Sequence, residues 1–345
     1  MPASVPAVFR VSAPSFSGTG LDSLRGVRRG AIAVLSLFMA GLSSAGDLVS
    51  AQAGQALPAK TTFRSGVDLV RVSATVRDQR GRPVLGLTRH DFQLNVNGER
   101  VPILAFQSDA SGVSLAVLVD SSGSMKLAGR MAAARDIVGH VVRWVEPGRD
   151  EVALLSFDRN LRTVHPFTSD PLSVLPHLDA LQPYGMTSLY DAIAEAARPL
   201  TGRQRPRRAV LVVTDGIDNG SELTPPEVSR IASEIDVPVY VVAVRVGADR
   251  IGGVPDETTV IDDASQATLL DLAAWTGGDA FFAGSPSETS QVARRILAEL
   301  RHQYLIGFQA SARTGWHPLS IGVRKKNLSV RARGGYVTGP SVGSQ

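Results

Sequence analysis

The sequence predicts an α/β chain in which a doubly wound, mainly parallel sheet is inserted between two β segments that together make one β-sandwich. Three observations carry this. From Val113 onward, short apolar runs alternate with stretches of helical periodicity, the rhythm of crossover units joining parallel strands. Residues 63–108 show β-branched alternation and a hairpin signature without helical periodicity, and residues 304–338 return to β patterning. Each flank has too few strands to cover its own apolar face, so the two are expected to pair with one another as a sandwich of about seven strands.

In chain order, Val67, Leu69, Val70, Val72, Ala74 and Val76 form a partly alternating run, a half-buried strand. Turn chemistry follows at Arg77 to Pro83. Phe92 to Val96, then Asn97-Gly98, then Val101 to Phe106 reads as a hairpin. Leu115 to Val119 is continuously apolar, as expected of a strand covered on both faces. Met125 to Val145 has helical spacing and ends at Pro147-Gly148. Strands are expected at Val152 to Phe157, Ala209 to Thr214, Val237 to Val246 and Ala280 to Phe282, and helices at Ser188 to Leu200, Pro225 to Ile235, Ala267 to Trp275 and Glu288 to His302. The α/β domain therefore spans residues 112–303. The tail offers three strand candidates, Tyr304 to Phe308, His317 to Val323 and Leu328 to Val337.

Composition narrows the class. At 345 residues, 43% hydrophobic and 20% charged, with 33 Gly and 20 Pro, the chain is neither disordered, collagen-like nor coiled-coil. Zero cysteines exclude disulfides, zinc-thiolate sites, a cysteine nucleophile and a lipidated N-terminal Cys. The net charge of +4 sits largely at the N-terminus, where Arg10, Arg25, Arg28 and Arg29 face the single acid Asp22; without them the net charge is +1, which argues against nucleic-acid binding.

Arg25, Arg28 and Arg29 precede the apolar run Gly30 to Leu42, and small residues follow at Ser43 to Ala45 and Ala51 to Ala53. That order is the pattern of a secretory signal peptide, and the apolar run is shorter than the roughly 20 residues a spanning helix needs. Residues 1–53 are thus expected to be a leader and tether, and the mature chain to be exported, periplasmic or secreted, with no membrane span.

The chemistry concentrates at three loops. The first strand of the α/β domain ends in Asp120-Ser121-Ser122-Gly123-Ser124, directly before a helix. The carboxyl edge of a parallel sheet is where ligands bind. One aspartate and two hydroxyls at alternate positions offer hard oxygen donors suited to Mg²⁺. Thr187, before a helix, and Asp215, after the strand Val210 to Thr214, should lie on the same edge. Singly, each of these residues reads as an ordinary cap or turn former; as an ordered set they read as a metal site.

Here the sequence resembles the von Willebrand factor type A domain, whose metal-ion-dependent adhesion site is written D-x-S-x-S, then T, then D. All five positions are filled, by Asp120, Ser122, Ser124, Thr187 and Asp215. Flanking text agrees in Leu118 to Met125, Thr187 to Ile193 and Val213 to Gly216. More narrowly, Val76-Arg77-Asp78, Gly86 to Phe92, Gln303 to Phe308 and Arg331 to Tyr336 resemble bacterial VWFA-related domain proteins, which carry β segments on both sides of the A domain. The resemblance implies Mg²⁺ or Mn²⁺ as the ion, contacted by Ser122, Ser124 and Thr187 and, partly through water, by Asp120 and Asp215. It implies a partner protein whose Asp or Glu carboxylate completes the shell.

Other features weigh less. Asp218 reads as a cap for the turn after it, and the six histidines lack zinc spacing. No G-x-S-x-G elbow or P-loop occurs, and Trp144, Trp275 and Trp316 read as packing residues. The acidic stretch Asp256 to Asp263 reads as a solvated loop. Glu222 is the one His or Glu near the three loops in sequence, so the expectation is a non-enzymatic binding module, ahead of a scaffold with a structural ion and of a metal-dependent hydrolase.

Overall fold

The computed structural model describes residues 69–109, 111–234, 236–244, 263–283 and 286–339. The leader, the tether after it and the acidic stretch at 256–262 lie outside these residues.

The N-terminal segment supplies β1 (Leu69–Asp78), β2 (Phe92–Val96), β3 (Glu99–Arg100) and β4 (Ala105–Gln107). The α/β part runs β5 (Val113–Asp120), α1 (Arg130–Trp144), β6 (Glu151–Phe157), β7 (Leu161–Thr168), α2 (Leu175–Asp179), α3 (Leu189–Ala197), β8 (Arg207–Thr214), α4 (Pro225–Glu234), β9 (Val239–Val244), α5 (Asp263–Thr276), β10 (Ala280–Ala283) and α6 (Pro286–Arg301). The tail adds β11 (Tyr304–Gln309), β12 (Gly315–Val323), β13 (Leu328–Ala332) and β14 (Gly335–Thr338).

The central sheet has the order β10-β9-β8-β5-β6-β7, parallel except for β7. Every residue of β5 is buried, because its two faces feed separate cores. Val113, Leu115, Val117 and Val119 pack with α1, α2 and α6, while Ala116 and Leu118 pack with α3, α4 and α5. In α1, Met131, Ala134, Ile137, Val138, Val141 and Val142 recur at helical spacing and turn one stripe to the sheet. Burying each large apolar side chain there contributes about 1.5–3 kcal/mol.

The flanking strands form two four-stranded antiparallel sheets, β13-β1-β11-β4 and β14-β12-β2-β3, so each sheet mixes strands from both ends of the chain. Between them lie Val72, Ala74, Val76, Phe92, Leu94, Ile306, Phe308 and Tyr336, with Phe92 and Tyr304 rings 5.0 Å apart. Ser73 and Thr75, on the other face of β1, are buried too.

The structure refines several expectations. The Asn97-Gly98 turn is present with φ of 53° and 84°, but the returning strand is two residues long. Pro102 has no N–H to extend the ladder, and the chain crosses to the other sheet as β4. The expected helix from Met125 is divided at Gly129 (φ 73°) into a 3₁₀ segment, Gly123–Gly129, and α1. The last strand candidate is two strands in different sheets, split at Arg333-Gly334. The edge strand β7 carried no sequence signal, since it is polar and largely half-exposed. Trp144 and Trp316 are each 47% exposed, so neither is a core residue.

Candidate functional site

The chain leaves β5 toward β6 on one side, and β8 lies on the other, so the carboxyl ends of β5 and β8 frame the switch point of the sheet. Asp120 is the last residue of β5 and Asp215 the first after β8. Both are buried. Asp120 accepts hydrogen bonds from the Ser122 backbone N–H (2.9 Å) and the Thr214 hydroxyl (2.6 Å). Burial, and secondly the neighbouring Asp215 carboxylate, push its pKa up to about 7 against those hydrogen bonds.

Ser122 and Ser124 follow in the 3₁₀ segment with their hydroxyl oxygens 3.0 Å apart; Ser122 is fully buried and Ser124 is half-buried. The intervening Ser121 turns away, its hydroxyl donating to the Phe157 carbonyl. The Thr187 loop is held against this one. The Tyr184 N–H donates to the Ser121 carbonyl (2.7 Å) and the Gly123 N–H to the Gly185 carbonyl (2.9 Å). From the β8 side, the Asn219 carboxamide oxygen accepts the Thr187 N–H (2.8 Å) and the Asn219 N–H donates back to the Thr187 carbonyl (3.1 Å). The three loops that bear Asp120, Ser122, Ser124, Thr187 and Asp215 thus share one edge.

Asp218 does more than cap the turn after it. Its Oδ1 accepts the Ser221 hydroxyl and also the Leu189 N–H (2.8 Å), so it caps the start of α3. Ser188, at the N-cap position, makes no side-chain cap of its own. Glu222 is exposed, and its N–H donates to Asp191.

Three residues at the site carried no sequence signal. The Arg130 guanidinium is buried and lies 2.7 Å from Asp215 Oδ2, supplying the countercharge that two adjacent buried carboxylates require. No local pattern pairs residues 85 positions apart. Asn219 orients Thr187 as described, and Asp158, after β6, is buried beside Gly185 while pairing with Arg162 (2.5 Å).

The donor set of two carboxylates and three hydroxyls suits a small hard cation such as Mg²⁺ or Mn²⁺. The buried Asp120, whose pKa burial raises, is the kind of group a cation would stabilise in its charged form. Arg130 holds one oxygen of Asp215, and the other accepts the Ile217 N–H (3.2 Å), so Asp215 suits contact through water better than direct ligation. Among the described residues no group of three or more His, Asp and Glu converges as a metal site. His165 and His177 meet edge to face with ring centres 5.0 Å apart, and a ring nitrogen of each is engaged by the Pro166 and Ser173 carbonyls.

Residues 115–217 match the family model of the von Willebrand factor type A domain. No curated protein matches the chain. Similar solved structures include the conserved protein BatB from Bacteroides thetaiotaomicron (24% identity, TM-score 0.44, 54% of this chain and 98% of that one). A von Willebrand factor type A protein from Catenulispora acidiphila is similar at 12% identity and TM-score 0.45, over 80% of this chain and 76% of that one. The vWF domain of the type V pili tip protein Mfa5 from Porphyromonas gingivalis is similar at 13% identity and TM-score 0.42, over 55% and 97%. The family match begins inside β5 and ends just past Asp215, so residues 115–217, which carry the switch-point edge, match a von Willebrand factor type A domain.

Proposed function

We propose that this is an exported, non-enzymatic binding module whose switch-point loops hold one Mg²⁺ or Mn²⁺ through Asp120, Ser122, Ser124, Thr187 and Asp215, and whose ion grips an Asp or Glu carboxylate on a partner protein. The observation that carries the reading is the fully buried Asp120 carboxylate at the sheet edge, beside the Asp215 carboxylate and in one loop with Ser122 and Ser124, whose hydroxyl oxygens lie 3.0 Å apart. The bound ion would supply positive charge little reduced by its hydroxyl ligands. Asp120 holds the Ser122 loop through its backbone N–H, and Asn219 fixes the Thr187 loop.

A hydrolase reading has less support, because Glu222, the one His or Glu near the three loops in sequence, is exposed. Export rests on the leader pattern; among the described residues no helix is long and apolar enough to cross a membrane.

Calorimetry with Mg²⁺ is expected to give one site per chain, lost in Asp120→Ala and weakened in Asp215→Ala; undiminished binding in both would sink the assignment. Divalent-dependent capture from envelope extract, comparing wild type with Asp120→Ala and Thr187→Ala, tests the partner. Thr187→Ala should weaken capture while costing at most about 1 kcal/mol of stability. Cation binding without any divalent-dependent partner would favour a structural ion.

A further inference from the structure

Of the large apolar side chains exposed among the described residues, three stand on the two loops that meet at the candidate ion: Leu127 (52% exposed), Tyr184 (75%) and Met186 (48%). They are not on a loose segment. The Tyr184 N–H and the Gly185 carbonyl are both hydrogen-bonded to the Asp120–Ser124 loop, and Asn219 fixes Thr187 directly after Met186. Lys126 adds an exposed cation, its Nζ 5.7 Å from the centre of the Tyr184 ring. The acids nearby do not offset it at the surface, because Asp120, Asp215 and Asp158 are all buried. The rim therefore presents apolar area and positive charge around the ion, on a rigid frame.

We infer that this rim selects its partner: it fits a protein segment in which the gripped carboxylate is flanked directly by large apolar side chains, rather than a bare acidic residue or a polyanion. The inference rests on the ion-mediated grip proposed above. A polyanion would need several cations and would gain nothing from Leu127, Tyr184 and Met186. An apolar neighbour of the carboxylate would cover them and remove their area from water. Burying on the order of 60 Å² of such area corresponds to about tenfold in affinity.

The test uses the full chain and three immobilised synthetic peptides, identical except for cores of Leu-Asp-Phe, Gly-Asp-Gly and Leu-Asn-Phe, each measured in Mg²⁺ and in chelator. The Leu-Asp-Phe peptide is expected to bind about tenfold more tightly than Gly-Asp-Gly. Binding should vanish for Leu-Asn-Phe and in chelator. In the double variant Tyr184→Ser, Met186→Ser the two Asp peptides should bind alike, with the melting temperature unchanged because both side chains are exposed. Equal binding of the two Asp peptides to wild type, or a preference that survives in the variant, overturns the inference. So does a variant whose sole change is in self-association by sedimentation, which would assign the rim to a second copy of the chain. Mg²⁺ calorimetry on the same preparation separates the two levels: an ion bound without peptide preference removes the rim inference alone, whereas no ion and no peptide binding removes the grip as well.

Discussion

Arg130 changes how the site works at the scale of a single residue. Its guanidinium does for Asp215 what a cation would do, and an incoming ion must share that carboxylate with it. Replacing it by a neutral side chain of similar length separates the two roles. Arg130→Met should tighten Mg²⁺ binding by about tenfold in calorimetry. Because it leaves a buried carboxylate uncompensated, it should also lower metal-free stability by about 3–5 kcal/mol in urea titration. Weaker Mg²⁺ binding would mean instead that Arg130 holds Asp215 in place for the ion.

Among the elements, the loop between β8 and α4 acts as a shelf for the start of α3. Asp218 accepts the Leu189 N–H, Asn219 the Thr187 N–H, and the Ser221 hydroxyl the Tyr190 N–H (2.9 Å), so residues about 30 positions away satisfy donors that α3 leaves open. The approach is close at Gly220, where a Cβ would sit 2.9 Å from the Ser188 hydroxyl and 3.3 Å from the Thr187 carbonyl, so a larger residue would have to push that loop aside. Asn219→Ala should therefore loosen Thr187 and weaken Mg²⁺ binding by roughly 10–100-fold, the usual effect of losing a group that orients a ligand. Asp218→Ala, which loses the helix cap, should instead cost stability of about 1 kcal/mol. A thermal melt and a Mg²⁺ titration on each variant distinguish the two contributions.

The molecule as a whole is tied across its parts by buried charge. Arg77 of β1 and Arg331 of β13 both reach Glu299 of α6 and Asp279 before β10, with Arg77 2.9 Å from Asp279 and Glu299 fully buried. Arg207, also fully buried, donates to the Asp109 carbonyl, the Ser111 hydroxyl (2.6 Å) and the Gln303 carbonyl (2.9 Å), joining the points where the α/β part begins and ends. Glu299→Ala leaves Asp279 alone to offset both guanidiniums and should lower stability by up to about 3 kcal/mol in urea denaturation. Burial raises the Asp279 carboxyl, but Arg331 and Arg77 outweigh it and hold the pKa below 3.8; at Glu151, burial is likewise outweighed by Arg203, and Ser114 helps hold the pKa below 4.5. Such groups stabilise the fold above their unfolded pKa and lose that contribution as pH falls through the lower folded value. The urea midpoint should therefore be flat with respect to these groups near pH 6–7 and fall below about pH 4, less steeply in Asp279→Asn.

What the sequence determined by itself was local and periodic. The apolar run Leu115 to Val119, the helical stripe of α1 and the ordered Asp120, Ser122, Ser124, Thr187 and Asp215 are patterns read within a few residues of a strand end or a helix start, and steric and hydrophobic preferences act at that range. The exposed edge strand β7 and the division of the last strand at Arg333-Gly334 were not legible, because neither changes the apolar pattern. Only the tertiary structure decided which distant groups meet. Arg130 lies against Asp215, Asn219 against Thr187, and Arg77 against Glu299, because packing two cores onto one sheet brings helices, loops and flanking strands into contact across tens to hundreds of residues. Once buried there, a charge or an open N–H must find a partner wherever the fold supplies one, and nothing in its own neighbourhood of the sequence announces which.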